Sequence, residues 1–473
     1  MTRLTILASL LVLFGASAQA ENDGAVASTA ADQSALALTI YNDNLALVRD
    51  TRQIALPKGL ARLDYADVSA QIIPETATLK GGRFTLVEQN FDFDLLNPGK
   101  LLEKAVGQTV RLFRTHPTTG QDTVEEATVL SANGGAVLRV GDRIEVIRGT
   151  NLAGRIVFDQ IPPNLRARPT LSMLLDNRRK SDGDLQLTYL TGGLSWQADY
   201  VGTLNEDETG LDLQGWVTLT NNSGIGYRNA AVQVVAGTPN RVYAPQRDFR
   251  RERLEEVVVT ASVKVKEEAL LDYHLYTLPR ATTIANNQTK QVAFMAAPQV
   301  QVNKIYEFTA FGVGTSDWQP VGVFVEMDNT EEAGLGLPLP KGIVRLYKAD
   351  SKGQPRFVGE DRIAHTPEGE EARLTVGQAF DVTVSRRQID YRDESRGQGP
   401  NRIRQFRATQ EVTLKNAKEE PVAVDFIQRF YGDWEILEES APHVKRDAEH
   451  AVWTVDIPAK GETTVTFQVR WKQ

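Results

Sequence analysis

The chain has 473 residues, with 53 lysines and arginines against 61 aspartates and glutamates, five histidines and no cysteine. A net charge of −8 excludes the basic footprint of a general nucleic-acid binder, and the lack of cysteine removes disulfides, thiol catalysis, iron–sulfur clusters and thiolate zinc sites together. Apolar residues make up 41%, enough for domains with real cores, and no cofactor is expected.

The first predicted element is an export signal. Arg3 precedes the apolar run LTILASLLVLFG (residues 4–15), and Ala18-Gln19-Ala20 supplies a small-x-small cleavage site. Cleavage after Ala20 starts the mature chain at Glu21 and makes it slightly more acidic, because Arg3 leaves with the leader. No later run approaches the roughly 18 apolar residues of a membrane-spanning helix, so the expectation is a soluble periplasmic protein. Residues 21–34 (ENDGAVASTAADQS) carry small side chains without periodicity and read as a disordered leader.

From Leu36 onward the period is two. Trp196, Ala198, Tyr200 and Leu204 share one parity, and so do Val321, Val323 and Val325, or Val465, Phe467, Val469 and Trp471. The joints carry turn chemistry, as in NEDETG (205–210), NNSG (221–224) and SDGD (181–184). One helix is predicted at Pro98–Val106, with Asn97 as cap, Pro98 in its first position and Gly107 at its exit. The fold class is therefore all-β, read as several β-sandwich (immunoglobulin-like) units in series. An N-terminal β domain spans 35–169, a sandwich or meander 170–305, and a C-terminal sandwich region 306–473. Within the first, residues 107–148 hold four short strands with tight Gly or Asn turns. That insert resembles a small SH3-like barrel.

Searches for chemistry find no zinc-protease, nucleotide or dinucleotide motif. Gly193-Leu-Ser195-Trp lacks the last glycine of a nucleophile elbow. Scattered carboxylates, Asp92, Asp94, Glu360 and Asp361, are the candidates for a hydrolase with paired acids, and His365 could meet Glu360-Asp361 across the hairpin GEDRIAHTPEGEE. His443 and His450 read as solvent-exposed. The loops 205–212 and 328–332 are rich in oxygen ligands without the spacing of a calcium loop. The densest signature comprises Trp196, Tyr200, Trp216, Asn222, Gly224, Tyr273, His274 and Tyr276. It reads mainly as architecture, with the two tryptophans in a core and Asn222-Ser-Gly224 as a positive-φ turn.

The runs LTYLTGGLSWQADYVGTL (187–204), LQGWVTLTNNSGIGYRNAAVQVVAG (213–237), YHLYTLPRATTIANNQTKQVAF (273–294) and GLGLPLPKGIVRLYKADSKGQPRFVGEDRIAHTP (334–367) resemble the bacterial domain of unknown function 4139 family. That family takes in mucoidy inhibitor A-like proteins. Upstream, PETATLKG and FDFDLLNPGKLLEKAVGQTV look like the N-terminal part of the same exported proteins, but the heptad-rich helical hairpin of the mucoidy inhibitor-like members is missing. The resemblance implies an exported β-rich protein and supplies neither a reaction nor catalytic residues.

The long connection 238–270 carries a basic run, RDFRRER, followed by Glu255, Glu256, Val257, Val258, Val259, Thr260 and Ala261. EEVVVTA resembles the TonB box of outer-membrane receptors. β-Branched residues between charges suit an extended segment that adds to another protein's sheet edge. The sequence thus points to an exported, non-enzymatic β scaffold of the bacterial envelope with a protein partner. A periplasmic hydrolase and a TonB partner are the alternatives.

Overall fold

Alternating side chains dictate sheets that bury one face, and sheets are what the computed structural model contains. It describes residues 25–92, 96–116, 118–133, 135–147, 155–160, 165–237, 239–240, 266–270, 273–396 and 404–472. The expected signal (1–20), the RDFRRER run, Glu255–Ala261 and Asp94 lie outside the described residues. The protein is all-β, with one short α-helix among the described residues. The chain divides into two compact units, neither continuous in sequence. The first comprises residues 1–37, 47–192 and 223–225, and the second 38–46, 193–222 and 226–473.

In the first unit a four-stranded sheet runs in the order Val26–Ser28, Gly59–Ala66, Thr170–Asn177, Phe84–Asp92. Leu63, Tyr65, Leu171, Met173 and Leu175 are buried on its inner side. Ile72–Lys80 pairs antiparallel with Ser181–Thr191. The region read as an SH3-like insert is a five-stranded antiparallel meander. Its order is Arg143–Ile147, Ala136–Val140, Asp122–Ser131, Thr109–Thr115, Arg155–Val157. It has its own small core of Val110, Leu112, Ala127, Val129, Leu138 and Val140, closed by Ala105. The helix runs Pro98–Lys104, with the Asn97 side chain accepting the Lys100 N–H and Pro98 in the first turn. Gly107 follows at φ +84°, the left-handed conformation its exit needs.

Residues 26–34, expected within a disordered leader, are ordered instead. Val26–Ser28 pairs parallel with Leu63–Tyr65. Thr29 and Asp32 form a reciprocal capping box around the following 3-10 turn. The fully buried Arg52 donates to the Ser28 carbonyl at 3.1 Å. Small, polar side chains hid this strand because its stability comes from a partner strand and a buried cation, not from its own pattern.

In the second unit a five-stranded sheet runs Gln288–Gln301, Gly210–Asn221, Leu194–Leu204, Gly342–Ala349, Pro355–Ile363, with Leu194–Leu204 and Gly342–Ala349 parallel. Tyr227–Ala236 pairs with Tyr273–Thr277, which in turn pairs with Lys266–Leu270 at a sheet edge. The C-terminal region is one nine-stranded sheet around a parallel pair, Asn303–Phe311 and Val422–Arg429. It folds back on itself: Trp453 and Phe467, from near its opposite ends, stack at 4.5 Å in a core with Val382, Leu414 and Phe426.

Candidate interaction site around the signature strands

Alternation on Leu194–Leu204 places Trp196, Ala198 and Tyr200 on one buried face, opposite Leu219, Val217 and Gly215. The Trp196 indole donates to the Val235 carbonyl at 3.1 Å, and the Asn42 side-chain amide donates to the Trp196 carbonyl at 3.2 Å. Tyr200 donates its hydroxyl to the Pro340 carbonyl at 2.7 Å, and Tyr276 donates to that of Pro338 at 2.9 Å. Both rings meet Phe294 edge-on, with centroids 5.9 and 6.1 Å away. Burial, reinforced by Tyr276 and Asp199, pushes the Tyr200 phenol well above its ordinary value, so it is a permanent donor. Asn329, fully buried, donates to the carbonyls of Leu337, Thr366 and Pro367. Two phenols and one amide thus fix the LPLP segment at residues 337–340.

Trp216 does not share this core. It sits opposite Asp199, one residue out of phase with Val217, and so faces the other side of the sheet, where it is also buried. Both tryptophans are buried, as expected, but they lie three register positions apart and therefore on opposite faces of the sheet. On that second face a polar ladder crosses four strands. The Asp199 carboxylate accepts from Thr218 at 2.6 Å and pairs with Arg345 at 3.2 Å, and Gln291 donates to Thr218 at 3.2 Å.

Gly224 has φ +91°, and a Cβ there would lie 2.6 Å from the Ala70 Cβ. The positive-φ turn is therefore real, with the Asn222 N–H donating to the Gly193 carbonyl at 2.6 Å. Tyr273 covers Gly237, where a Cβ would lie 2.1 Å from its ring. The same ring neighbours Tyr41, whose phenol is raised first by burial and then by Tyr273. His274 lies between Ala236 and Ala269 in register. His365 accepts the Lys341 N–H on Nδ1 at 3.2 Å; burial, then the Lys341 charge and His274, hold it below the usual histidine value. His274, Lys341 and His365 form a cluster that no motif announces, since its members come from three separate segments.

The expected approach of His365 to Glu360 and Asp361 does not occur. Glu360 pairs with Arg345 at 3.3 Å, while Asp361 accepts the backbone N–H groups of Arg362 and Thr375, both at 2.7 Å. Strand alternation carries the two carboxylates to opposite sides and away from the hairpin tip. Asp92 does meet a second acid: Asp64 and Asp92 both accept from the Ser172 hydroxyl, at 2.7 and 3.0 Å. Arg166 clamps both carboxylates, at 3.2 and 3.3 Å. Burial alone would raise the Asp64 carboxyl, but hydrogen bonds from Ser172 and Arg62 and the charges of Arg166 and Arg62 hold it below its usual range. The donors thus hold the Asp64 carboxyl in its charged form, the opposite of what a shared catalytic proton requires.

His443 and His450 are half-buried rather than solvent-exposed. Each ring meets a carboxylate at 2.8 Å, Glu439 and Asp447 respectively, and His443 lies between Trp434 and Trp453. The Glu208 carboxylate in the 205–212 loop is held by Lys304 and Lys348. Among the described residues no three His, Asp or Glu side chains are grouped to hold a metal, and no helix is long and apolar enough to cross a membrane. A family model described as Domain of unknown function (DUF4139) matches residues 185–472. No curated protein matches the chain.

Proposed function

The chain belongs to the family of domain of unknown function 4139, and from that premise we propose an exported, non-enzymatic β scaffold of the bacterial envelope that binds a protein partner by strand addition. One observation carries the reading. Tyr227–Ala236 and Tyr273–Thr277 are antiparallel neighbours, with Ala236 opposite His274, a pairing that a hairpin loop of about two to five residues can close. The chain instead runs from residue 237 to residue 265 before Lys266–Leu270 begins at the sheet edge. A connection this many residues long far exceeds what the pairing requires, and long connections commonly carry function. It carries the RDFRRER run and Glu255-Glu-Val-Val-Val-Thr-Ala261.

The export part of the reading rests on Arg3, the apolar run 4–15 and Ala18-Gln-Ala20. Mass spectrometry of the protein recovered from a periplasmic extract tests it, with a mature N-terminus at Glu21 expected. For the partner we name the periplasmic C-terminal domain of TonB, because β-branched residues between charges pair well with an open sheet edge. Calorimetric titration of peptide 250–266 against that domain should show saturable binding. Val258→Pro, which removes a ladder donor, should abolish it. No saturable binding, or equal binding by the proline peptide, refutes TonB as the partner.

A further inference from the structure

The five-stranded meander of the first unit ends at an edge strand, Arg143–Ile147. It runs back from Ala136–Val140 through the two-residue turn Gly141-Asp142, with Gly141 at φ +57°. Such a turn is closed by a hydrogen-bonded pair, here Val140 and Arg143. Antiparallel alternation then turns the N–H and C=O groups of Arg143, Glu145 and Ile147 toward the neighbouring strand. Those of Ile144 and Val146 point away from it, to the open edge. Among the described residues no strand pairs with that edge.

The side chains alternate as well. Arg143 and Glu145 stand opposite the buried Val140 and Leu138, in a closed ring of ion pairs at the rim of that core. Arg114 holds Glu125 at 3.1 Å and also Glu145, while Arg143 holds Glu125 and Glu145, both at 2.7 Å. Ile144 and Val146 face the other way and are 63 and 59% exposed, with Val137 directly opposite Val146. Exposed aliphatic side chains on an open edge invite pairing with another chain. The edge strand Asp433–Glu439 shows the usual defence, since Asp433, Glu435, Glu438 and Glu439 repel a second copy. On Arg143–Ile147 the two charges have opposite signs and stand two residues apart, so a second copy can match them.

Only one register matches them. A two-fold antiparallel pairing that keeps both faces continuous must centre on a residue. Centred on Arg143 or Glu145, it sets like charges opposite each other. Centred on Val146 or Ile147, it leaves Arg143 beyond the end of the partner strand. Centred on Ile144, it sets Arg143 against Glu145 of the other copy twice over and brings the two Ile144 side chains together. The free N–H and C=O of Ile144 then form a reciprocal pair. Arg143 spends only Nε and Nη2 on the ion ring, so Nη1 remains for the other copy. We propose that Arg143–Ile147 is a self-association edge, at which a second copy of this chain adds antiparallel about Ile144 and joins two meanders into one sheet. Five residues from each copy make a small interface, so the dimer is weak and concentration-dependent. The inference goes beyond the strand-addition reading above, since its partner is another copy and it uses no residue of the 238–265 connection.

Because the chain has no cysteine, a single introduced thiol reads the register directly. Paired about Ile144, the two Ile144 Cα atoms lie about 5.5 Å apart, within disulfide reach. The two Val146 Cα atoms lie roughly 14 Å apart. Mild oxidation of the full-length Ile144→Cys protein should therefore give a disulfide-linked dimer on non-reducing gels, whereas Val146→Cys should stay monomeric. Sedimentation velocity of the wild type should show a monomer–dimer equilibrium across micromolar to millimolar concentrations, and Ile144→Pro should remain monomeric throughout. That proline removes a donor that the neighbouring strand does not use, so amide protection at Leu138 and Glu145 should persist and show the hairpin intact. If the proline opens the hairpin, Ile144→Lys, at an exposed position, carries the same test. A wild type that stays monomeric, a dimer indifferent to the substitution at Ile144, equal crosslinking of Val146→Cys, or assemblies larger than a dimer each overturns the proposal. None of these outcomes depends on the calorimetry of peptide 250–266 or on the mature N-terminus, so failure here is distinguishable from failure of the scaffold reading.

Discussion

Tyr200 shows how a signature residue can be fixed for architecture. Its ring is sealed against Phe294 and its hydroxyl donates to the Pro340 carbonyl. Tyr200→Phe keeps the ring and leaves a buried carbonyl unpaired, so it should cost about 1–3 kcal/mol in urea unfolding. Tyr276→Phe, at a less enclosed hydroxyl, should cost less. His365 gives a pH-dependent counterpart. Its folded pKa lies below the ordinary histidine value of 6.5, so between the two values the unfolded chain binds more protons than the folded one. Stability is then fully present above 6.5, falls as pH drops toward the lowered value and is flat below it. The mechanism is local: a proton on Nδ1 removes the acceptor for the Lys341 N–H and places a cation beside Lys341. NMR titration should show the His365 ring titrating below the ordinary value, a transition absent in His365→Asn, together with a shallower loss of thermal midpoint on acidification in that variant.

At the scale of the element, the strand Val26–Ser28 depends on a buried ion pair. Arg52 is paired with Asp50 at 2.8 Å, stacks on Tyr65 at 3.7 Å and reaches the Ser28 carbonyl. Gln33 also donates to Asp50, at 2.7 Å. Arg52→Met would leave the Asp50 carboxylate buried with one neutral donor, at a cost of about 3–5 kcal/mol. It should also release the N-terminal strand, read as lost amide protection at residues 26–32 in hydrogen exchange. The contrast with the helix is instructive. Asn97, Pro98 and Gly107 lie within eleven consecutive residues and announce a helix by themselves, and period-two runs such as Val465–Trp471 announce strands. Val26–Ser28 could not be read, because its partner strand begins at Gly59 and its cation lies at Arg52. The same physics explains the site: the turn at Gly224 was legible from local residue types, whereas the partners of Glu360, Asp92 and His365 are set by which strands lie side by side.

For the whole molecule, the family match and the folded unit have different boundaries. The match begins at residue 185, but the second compact unit also contains residues 38–46. Those residues are structural within it. Leu38, Ile40, Leu45 and Ala46 are buried, Asn42 donates to the Trp196 carbonyl, and Asn44 accepts the Gly193 N–H at 2.8 Å. Full burial of each large aliphatic side chain is worth about 1.5–3 kcal/mol, against a total stability of about 5–15 kcal/mol for a domain. With no cysteine to staple the chain, packing must supply the difference. A fragment of residues 185–472 should therefore lack the cooperative unfolding and near-ultraviolet tryptophan dichroism of the intact protein, and co-expression with residues 33–56 should restore both. A fragment that melts as sharply as the full chain would show that the 38–46 segment adds nothing to the unit, and that the family boundary at 185 is also the boundary of folding.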